Sequence, residues 1–351
     1  MTILIVVPSA IYGGGEVYVE NLINANNGRE IHLLSACNDL NDRVKSKCTV
    51  HSFNKDVVCF NLYKILFLIK INRIVNKYEI ESVFLNGLPE IGIYCNYIRA
   101  RKIFCVGHSN EYWLRCNTLK SKIKKVLLGS YEDKLTKFIA INQEVVKSAR
   151  YNKKLSQKTV LIYSSVPKVH VKKCKTDNDI VFGRIGRLCD GKGNEFLLDN
   201  FKKLSEKYGD VRLLFAGSGI LEKELIEKVN SLGLSDKVTF LGQVEKNIFF
   251  SKIDIMISPS DFEAFPLVIL EAMSCNTPII STNVGGVSEM ITNNESGLLI
   301  EPRDDESLLT SMSTLIDNQK LRESLASKGK ETYDSKFNFN TSIDKIYNLI
   351  S

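Results

Sequence analysis

The chain has 351 residues and a mass of 39.6 kDa, too long for one comfortable hydrophobic core, so two domains are expected. Its 44% apolar and 25% charged content is that of a soluble globular protein, and no apolar run is long enough to span a bilayer. Residues 1–176 hold 28 Lys and Arg against 13 Asp and Glu, and residues 177–351 hold 19 against 27, so a basic front half is joined to an acidic back half.

The chain opens directly on an apolar strand, Thr2 to Val7, with no basic region or cleavage site, so export is not expected. The nine cysteines are scattered, odd in number and never spaced CxxC. This argues against a disulfide framework or zinc cluster and for a reducing compartment. After the strand come Gly13, Gly14 and Gly15, then a helical pattern on Val17, Val19, Leu22 and Ile23. Glycines between strand and helix let the backbone approach a ligand and turn amides toward it, although tight turns use them too. Neither a GxGxxG fingerprint nor a P-loop is present.

Strands are predicted at 31–35, 82–85, 102–107, 138–141 and 160–163, with a long helix over 62–78 that reads as a buried crossover or an interfacial helix. His108 directly follows a strand and is one of four histidines. The stretch 118–128, with Lys120, Lys122, Lys124 and Lys125 just past Trp113, is either a solvated lysine face or a docking site for anionic lipid. Residues 169–179 read as a linker. Beyond it the alternation restarts, with strands at 180–185, 211–216, 238–241, 253–258, 278–281 and 297–300, helices between, and a helical tail from about 316. Strand–helix repetition of this kind implies parallel sheets.

Two charged constellations stand out. Arg187 and Lys192 flank glycines at a strand end, where an Arg fork and a mobile Lys charge suit one polyanion, or simply a surface loop. Glu263 follows the strand 253–258 in a loop, and Glu271 lies eight residues on, expected on the exposed edge of the next helix. The pair could hold separate hydroxyls of an extended ligand, or Glu263 could be an ordinary helix-dipole partner.

The run from Ser260 to Met273, then Ala272-Met273-Ser274-Cys275-Asn276-Thr277-Pro278, Gly285-Gly286-Val287-Ser288-Glu289 and Ser296-Gly297-Leu298-Leu299, resembles the diagnostic motif of the retaining glycosyltransferases of family 4. The likeness is strong after residue 180 and loose before it. Ala264 departs from the family's usual Gly, and Ser164-Ser165-Val166 from its usual turn.

The resemblance implies a GT-B fold: an α/β chain with two Rossmann-like domains facing across a cleft, residues 1–168 and 180–335, and a C-terminal helix, 336–351, returning to the first. It implies transfer of a hexose or N-acetylhexosamine from a nucleotide-sugar, with UDP expected because it is common in that family, to a glycan or polyprenyl-diphosphate-linked acceptor in bacterial surface polysaccharide synthesis. A catalytically inactive scaffold of the same fold is the alternative. Arg187 and Lys192 would clamp the diphosphate, with no metal expected, Glu263 would meet the donor sugar and Glu271 the ribose. Backbone near Phe265, Leu267 and Val268 would surround sugar and β-phosphate, Val244 would lie by the base, Gly14 and Gly15 by the phosphates, and His108 by the transferred sugar. The basic front half suits peripheral attachment to the anionic cytoplasmic face of a membrane. No nucleic-acid partner is expected, and the chain is read as a monomer or weak homodimer.

Overall fold

The computed structural model describes residues 2–53, 61–87, 95–108, 131–172 and 179–350. Trp113, the four lysines between 120 and 125, and residues 173–178 of the expected linker lie outside the described residues. The chain divides into two compact units, one formed by Met1–Ser165 with Asn340–Ser351 and the other by Val166–Phe339.

The first unit is built on seven parallel strands: β1 (Thr2–Val7), β2 (Glu30–Ser35), β3 (Thr49–Ser52), β4 (Ser82–Asn86), β5 (Lys102–Gly107), β6 (Lys137–Ala140) and β7 (Thr159–Leu161). Their order is β3-β2-β1-β4-β5-β6-β7. β1 sits centrally, with Ile3 opposite Ile31 on one side and Ser82 on the other. Ile3 to Val7 are all buried, because helices cover both faces of a parallel sheet and a continuous apolar run then replaces alternation. The helix Asn61–Lys77 sends Phe67, Ile71, Ile74 and Val75 into this core.

The second unit carries six parallel strands: β8 (Ile180–Ile185), β9 (Val211–Ala216), β10 (Val238–Phe240), β11 (Ile255–Ser258), β12 (Ile279–Thr282) and β13 (Leu298–Ile300). Their order is β10-β9-β8-β11-β12-β13. In both sheets the order reverses once, between β1 and β4 and between β8 and β11. Connections on either side of such a point leave toward opposite faces, which opens a crevice at the carboxyl ends of the strands.

The helix Asn38–Val44 and strand β3 were not legible in the sequence: β3 is a four-residue edge strand of Thr, Val, His and Ser with no apolar alternation. The helical tail is three helices. Asn318 accepts a hydrogen bond from the Leu321 amide and so starts Gln319–Lys336 afresh after Asp305–Asp317, and buried Phe337 marks the next break. The last helix, Phe339–Ile350, packs on the first unit. Its Tyr347 hydroxyl donates to the Leu22 carbonyl at 2.7 Å, Arg29 lies over the Tyr347 ring, and the buried Ser82 hydroxyl donates to the Ile350 carbonyl at 3.2 Å.

Tyr347→Phe deletes one buried hydrogen bond without changing the packed volume. It should cost about 1 kcal/mol, read as an earlier unfolding midpoint in a urea titration with an unchanged slope.

Candidate active site

In the second unit the loops that follow β8, β11 and β12 converge. The loop after β8 runs from Gly186 to Gly193, and Gly193 holds a left-handed φ of 66° at the entry to the helix Asn194–Lys207. A Cβ there would lie 2.0 Å from the Pro259 carbonyl oxygen of the neighbouring loop, so only glycine permits this approach. Gly285, after β12, is held in the same way: its φ is 53°, and a Cβ would meet the Glu263 carbonyl oxygen at 1.7 Å. Main-chain bonds from Asp261 N to Gly191 O and from Gly286 N to Ala264 O tie the three loops together.

Within this frame Lys192 Nζ lies 2.6 Å from Glu263 Oε1, with both side chains less than one-fifth exposed. Ser260 Oγ donates to the same carboxylate oxygen at 2.8 Å. Arg187 is exposed, and its guanidinium has no hydrogen bond or ion pair among the described residues. Beneath the loop lies Arg184, only 3% exposed. Its Nη2 donates to the carbonyl of Arg187 at 3.2 Å and, at 3.5 Å, to that of Lys192. Burial lowers its pKa to about 10, while Glu263 pulls in the opposite direction. Even so, the group is cationic at neutral pH.

Glu271 is buried rather than exposed, because the short helix Leu267–Ser274 is enclosed on nearly all sides. Its charge is answered by Lys246, with Nζ 2.9 Å from Oε2. Val244 is partly buried two residues before Lys246, and the Gly242 carbonyl, two residues before Val244, accepts from the Gly217 amide at 2.7 Å. Phe265 is buried against Phe337, while Leu267 and Val268 open the helix, where an α-helix leaves its first N–H groups without intrahelical partners.

The first unit gathers a second group at the carboxyl ends of β1, β4 and β5. Asn86 Nδ2 donates to the Gly15 carbonyl at 3.1 Å, which turns its Oδ1 toward His108 Nε2 at 2.7 Å. His108 must therefore carry its proton on Nε2, leaving Nδ1 as an acceptor. Tyr18 meets the ring edge-on, and burial lowers the His108 pKa to about 4. Gly14 and Gly15 begin the helix Gly14–Asn24, where the buried Glu16 carboxylate accepts the Gly13 amide at 3.0 Å.

The structure thus brings Lys192 and Glu263 into contact, sets Arg187 and Glu271 on the same strand-end loops and helix of the second unit, and gathers Gly14, Gly15 and His108 in the first. Arg184, Lys246, Ser260 and Asn86 were missed in the sequence. A cation inside an otherwise apolar strand was the one available sign of Arg184. Among the described residues no group of three or more His, Cys, Asp or Glu side chains is placed to hold a metal ion.

Two expectations follow. Arg184→Met removes charged hydrogen bonds worth roughly 2 kcal/mol to the loop, so amides between 186 and 193 should exchange with solvent faster while the distant strands keep their protection. His108 and His51 both have pKa values lowered to about 4 by burial. Between pH 4 and 6.5 the unfolded chain binds protons that the folded imidazoles refuse, so stability is full above about 6.5 and falls as the pH drops through this window. Thermal midpoints between pH 7 and 5 should show that fall, and His108→Gln should make it shallower.

Residues 166–332 match the family described as Glycosyl transferases group 1. Over 99% of its length the chain is 25% identical to an uncharacterized glycosyltransferase of Methanocaldococcus jannaschii, covering 98% of that protein. The capsular polysaccharide biosynthesis glycosyltransferase CapM of Staphylococcus aureus is 29% identical over 46% of this chain, which spans only 43% of that relative's length. Among solved structures, Anabaena HepE in complex with UDP and glucose gives a TM-score of 0.81 at 19% identity, with 99% of this chain and 98% of that one covered. The chain has the GT-B fold, and residues 166–332, within its second unit, are similar to the group 1 glycosyl transferases.

Proposed function

We propose that this chain is a retaining glycosyltransferase of family 4 that moves a hexose or N-acetylhexosamine from a UDP-sugar to a glycan or lipid-linked acceptor of surface polysaccharide synthesis. The observation that carries this reading is the set Arg187, Lys192, Glu263 and Glu271, on the loops and first helix at the switch point of one parallel sheet, inside the span that matches the group 1 glycosyl transferases. The UDP bound to HepE and the capsular role of CapM support the choice of donor and acceptor class.

The roles follow from charge. Arg187, unpaired among the described residues, meets the diphosphate first, and its planar fork suits phosphate oxygens. Lys192 is already neutralised by Glu263. A bound diphosphate draws its ammonium away, which frees the Glu263 carboxylate to accept hydroxyls of the donor sugar. As the sugar–phosphate bond breaks, negative charge grows on the leaving diphosphate, and the two cations with the amides of Leu267 and Val268 stabilise it. Glu271, held by Lys246, accepts the ribose hydroxyls, and neutral His108 offers Nδ1 to a hydroxyl of the transferred sugar. The acceptor oxygen bonds to the anomeric carbon on the face the diphosphate leaves, and the acceptor's proton passes to the departing phosphate oxygen. The basic front half suits attachment to an anionic membrane surface.

Arg187→Ala should lower turnover by roughly 10²-fold, the scale of losing one preorganised donor to developing charge, with the unfolding midpoint unmoved. Glu263→Gln should cripple transfer while UDP binding persists. A panel of nucleotide-sugars identifies the donor by tight binding, and NMR of the first-formed product should show an α-linkage from an α-linked donor. A β-linked product overturns retention, and full activity in Arg187→Ala overturns the clamp.

A further inference from the structure

The helix Asn61–Lys77 connects β3 to β4, two strands that run in the same direction, so the helix runs against them. Its first turns therefore lie toward the carboxyl end of the first sheet, the end that carries Gly15, Asn86 and His108. Its last turn lies toward the amino end.

One side of the helix is core. On the other, Leu62, Ile65, Leu66 and Ile69 are 64%, 56%, 45% and 43% exposed. Steps of three, one and three residues place them on one stripe of an α-helix. Single exposed apolar residues are ordinary, but four in one stripe mark a contact surface. The stripe ends where exposed Arg73 and Lys77 take over the same side. The helix holds Lys64, Lys70, Arg73 and Lys77 and no carboxylate at all. Glu79 and Glu81 follow it, toward the amino end of the sheet and away from the stripe.

Charge decides between occupants. A second copy docked by two-fold symmetry would bring two cationic helices of two basic halves together, and like charges oppose that contact. An anionic phospholipid surface answers both parts of the helix: the acyl boundary takes the apolar stripe, and the headgroup phosphates take exposed Arg73 and Lys77.

We propose that the amino-terminal half of the helix Asn61–Lys77 is a docking face for an anionic phospholipid bilayer, seating the carboxyl end of the first sheet at the membrane. Combined with the transferase reading, on which this part rests, it places a lipid-linked acceptor beside the loops that carry Gly15 and His108. The lysines between 120 and 125 are not required for it.

The test is co-sedimentation of the full chain with phosphatidylcholine vesicles, with and without phosphatidylglycerol. It is run at low and high salt, with UDP binding measured calorimetrically on the same preparations. Wild type should bind the anionic vesicles and weaken as salt rises. Changing Leu62, Ile65, Leu66 and Ile69 to Ser should lower vesicle partitioning on the order of tenfold or more, with the thermal midpoint and UDP binding kept, because all four side chains are exposed. Serine at Lys120, Lys122, Lys124 and Lys125 should leave the apolar contribution in place. Wild type that ignores anionic vesicles, or a Ser variant that binds them undiminished, overturns the docking face. So does a wild-type dimer that the Ser variant turns into a monomer. UDP binding without vesicle binding removes this proposal alone, whereas vesicle binding without UDP binding removes the transferase reading and leaves the docking face standing.

Discussion

A parallel sheet sends every outgoing loop to the same end, and in the second unit that end must accommodate four cations, Arg184, Arg187, Lys192 and Lys246, with the carboxylates Glu263 and Glu271. Arg184 is the piece on which the arrangement depends. Its guanidinium is almost wholly enclosed, so it needs acceptors: Nη2 finds them in the carbonyls of the two residues whose side chains carry the loop's own positive charge, while Nη1 is buried without a partner among the described residues. Desolvating a guanidinium is costly unless its donors are used. The loop is consequently held from below by a charge, while Glu263 holds Lys192 from the side. The result is a set of polar groups fixed before any ligand arrives, as electrostatic catalysis requires.

The two units solve different electrostatic problems. The second keeps Lys192 paired with Glu263 and Lys246 with Glu271 at distances under 3 Å, so beyond Arg187, unpaired among the described residues, a polyanion gains Lys192 by exchanging partners rather than by meeting bare charge. The first keeps its histidine neutral. Asn86, oriented by the Gly15 carbonyl, selects the Nε2 tautomer of His108, and burial denies the ring a second proton near neutral pH. A neutral acceptor suits a sugar hydroxyl better than an imidazolium would.

What the sequence conveyed depended on how local each signal was. The buried strands read clearly, since a strand covered on both faces is an unbroken apolar run, as in Ile3 to Val7 and Ile255 to Ile257. The spacing of Arg187, Lys192, Glu263 and Glu271 was equally plain, because a motif lies along the chain. The edge strand β3 was hidden because a half-exposed edge tolerates Thr, His and Ser. Arg184 and Ser260 were hidden although their partners lie close along the chain, because the contacts depend on how the two loops fold back on themselves. The pairing of Lys246 with Glu271, like that of Lys192 with Glu263 over 71 residues, was hidden because it arises from tertiary approach. The burial of Glu271 escaped for the same reason: helical periodicity gives a residue's bearing on its own helix but not what the rest of the fold lays over it.

The first unit is not one continuous stretch of chain, since the helix Phe339–Ile350 belongs to it and the whole of the second unit lies between. On a ribosome making about 5–20 residues per second, the seven strands of the first sheet emerge well before the helix that completes their packing. During that interval the Ser82 hydroxyl and the Leu22 carbonyl lack the partners that Ile350 and Tyr347 later supply. The second unit, Val166–Phe339, has no such wait and can close on itself first. The half of the molecule synthesised earliest is thus the half finished last, and a release of the nascent chain before the final helix would leave a formed sheet with an uncovered flank, the kind of surface that chaperones hold.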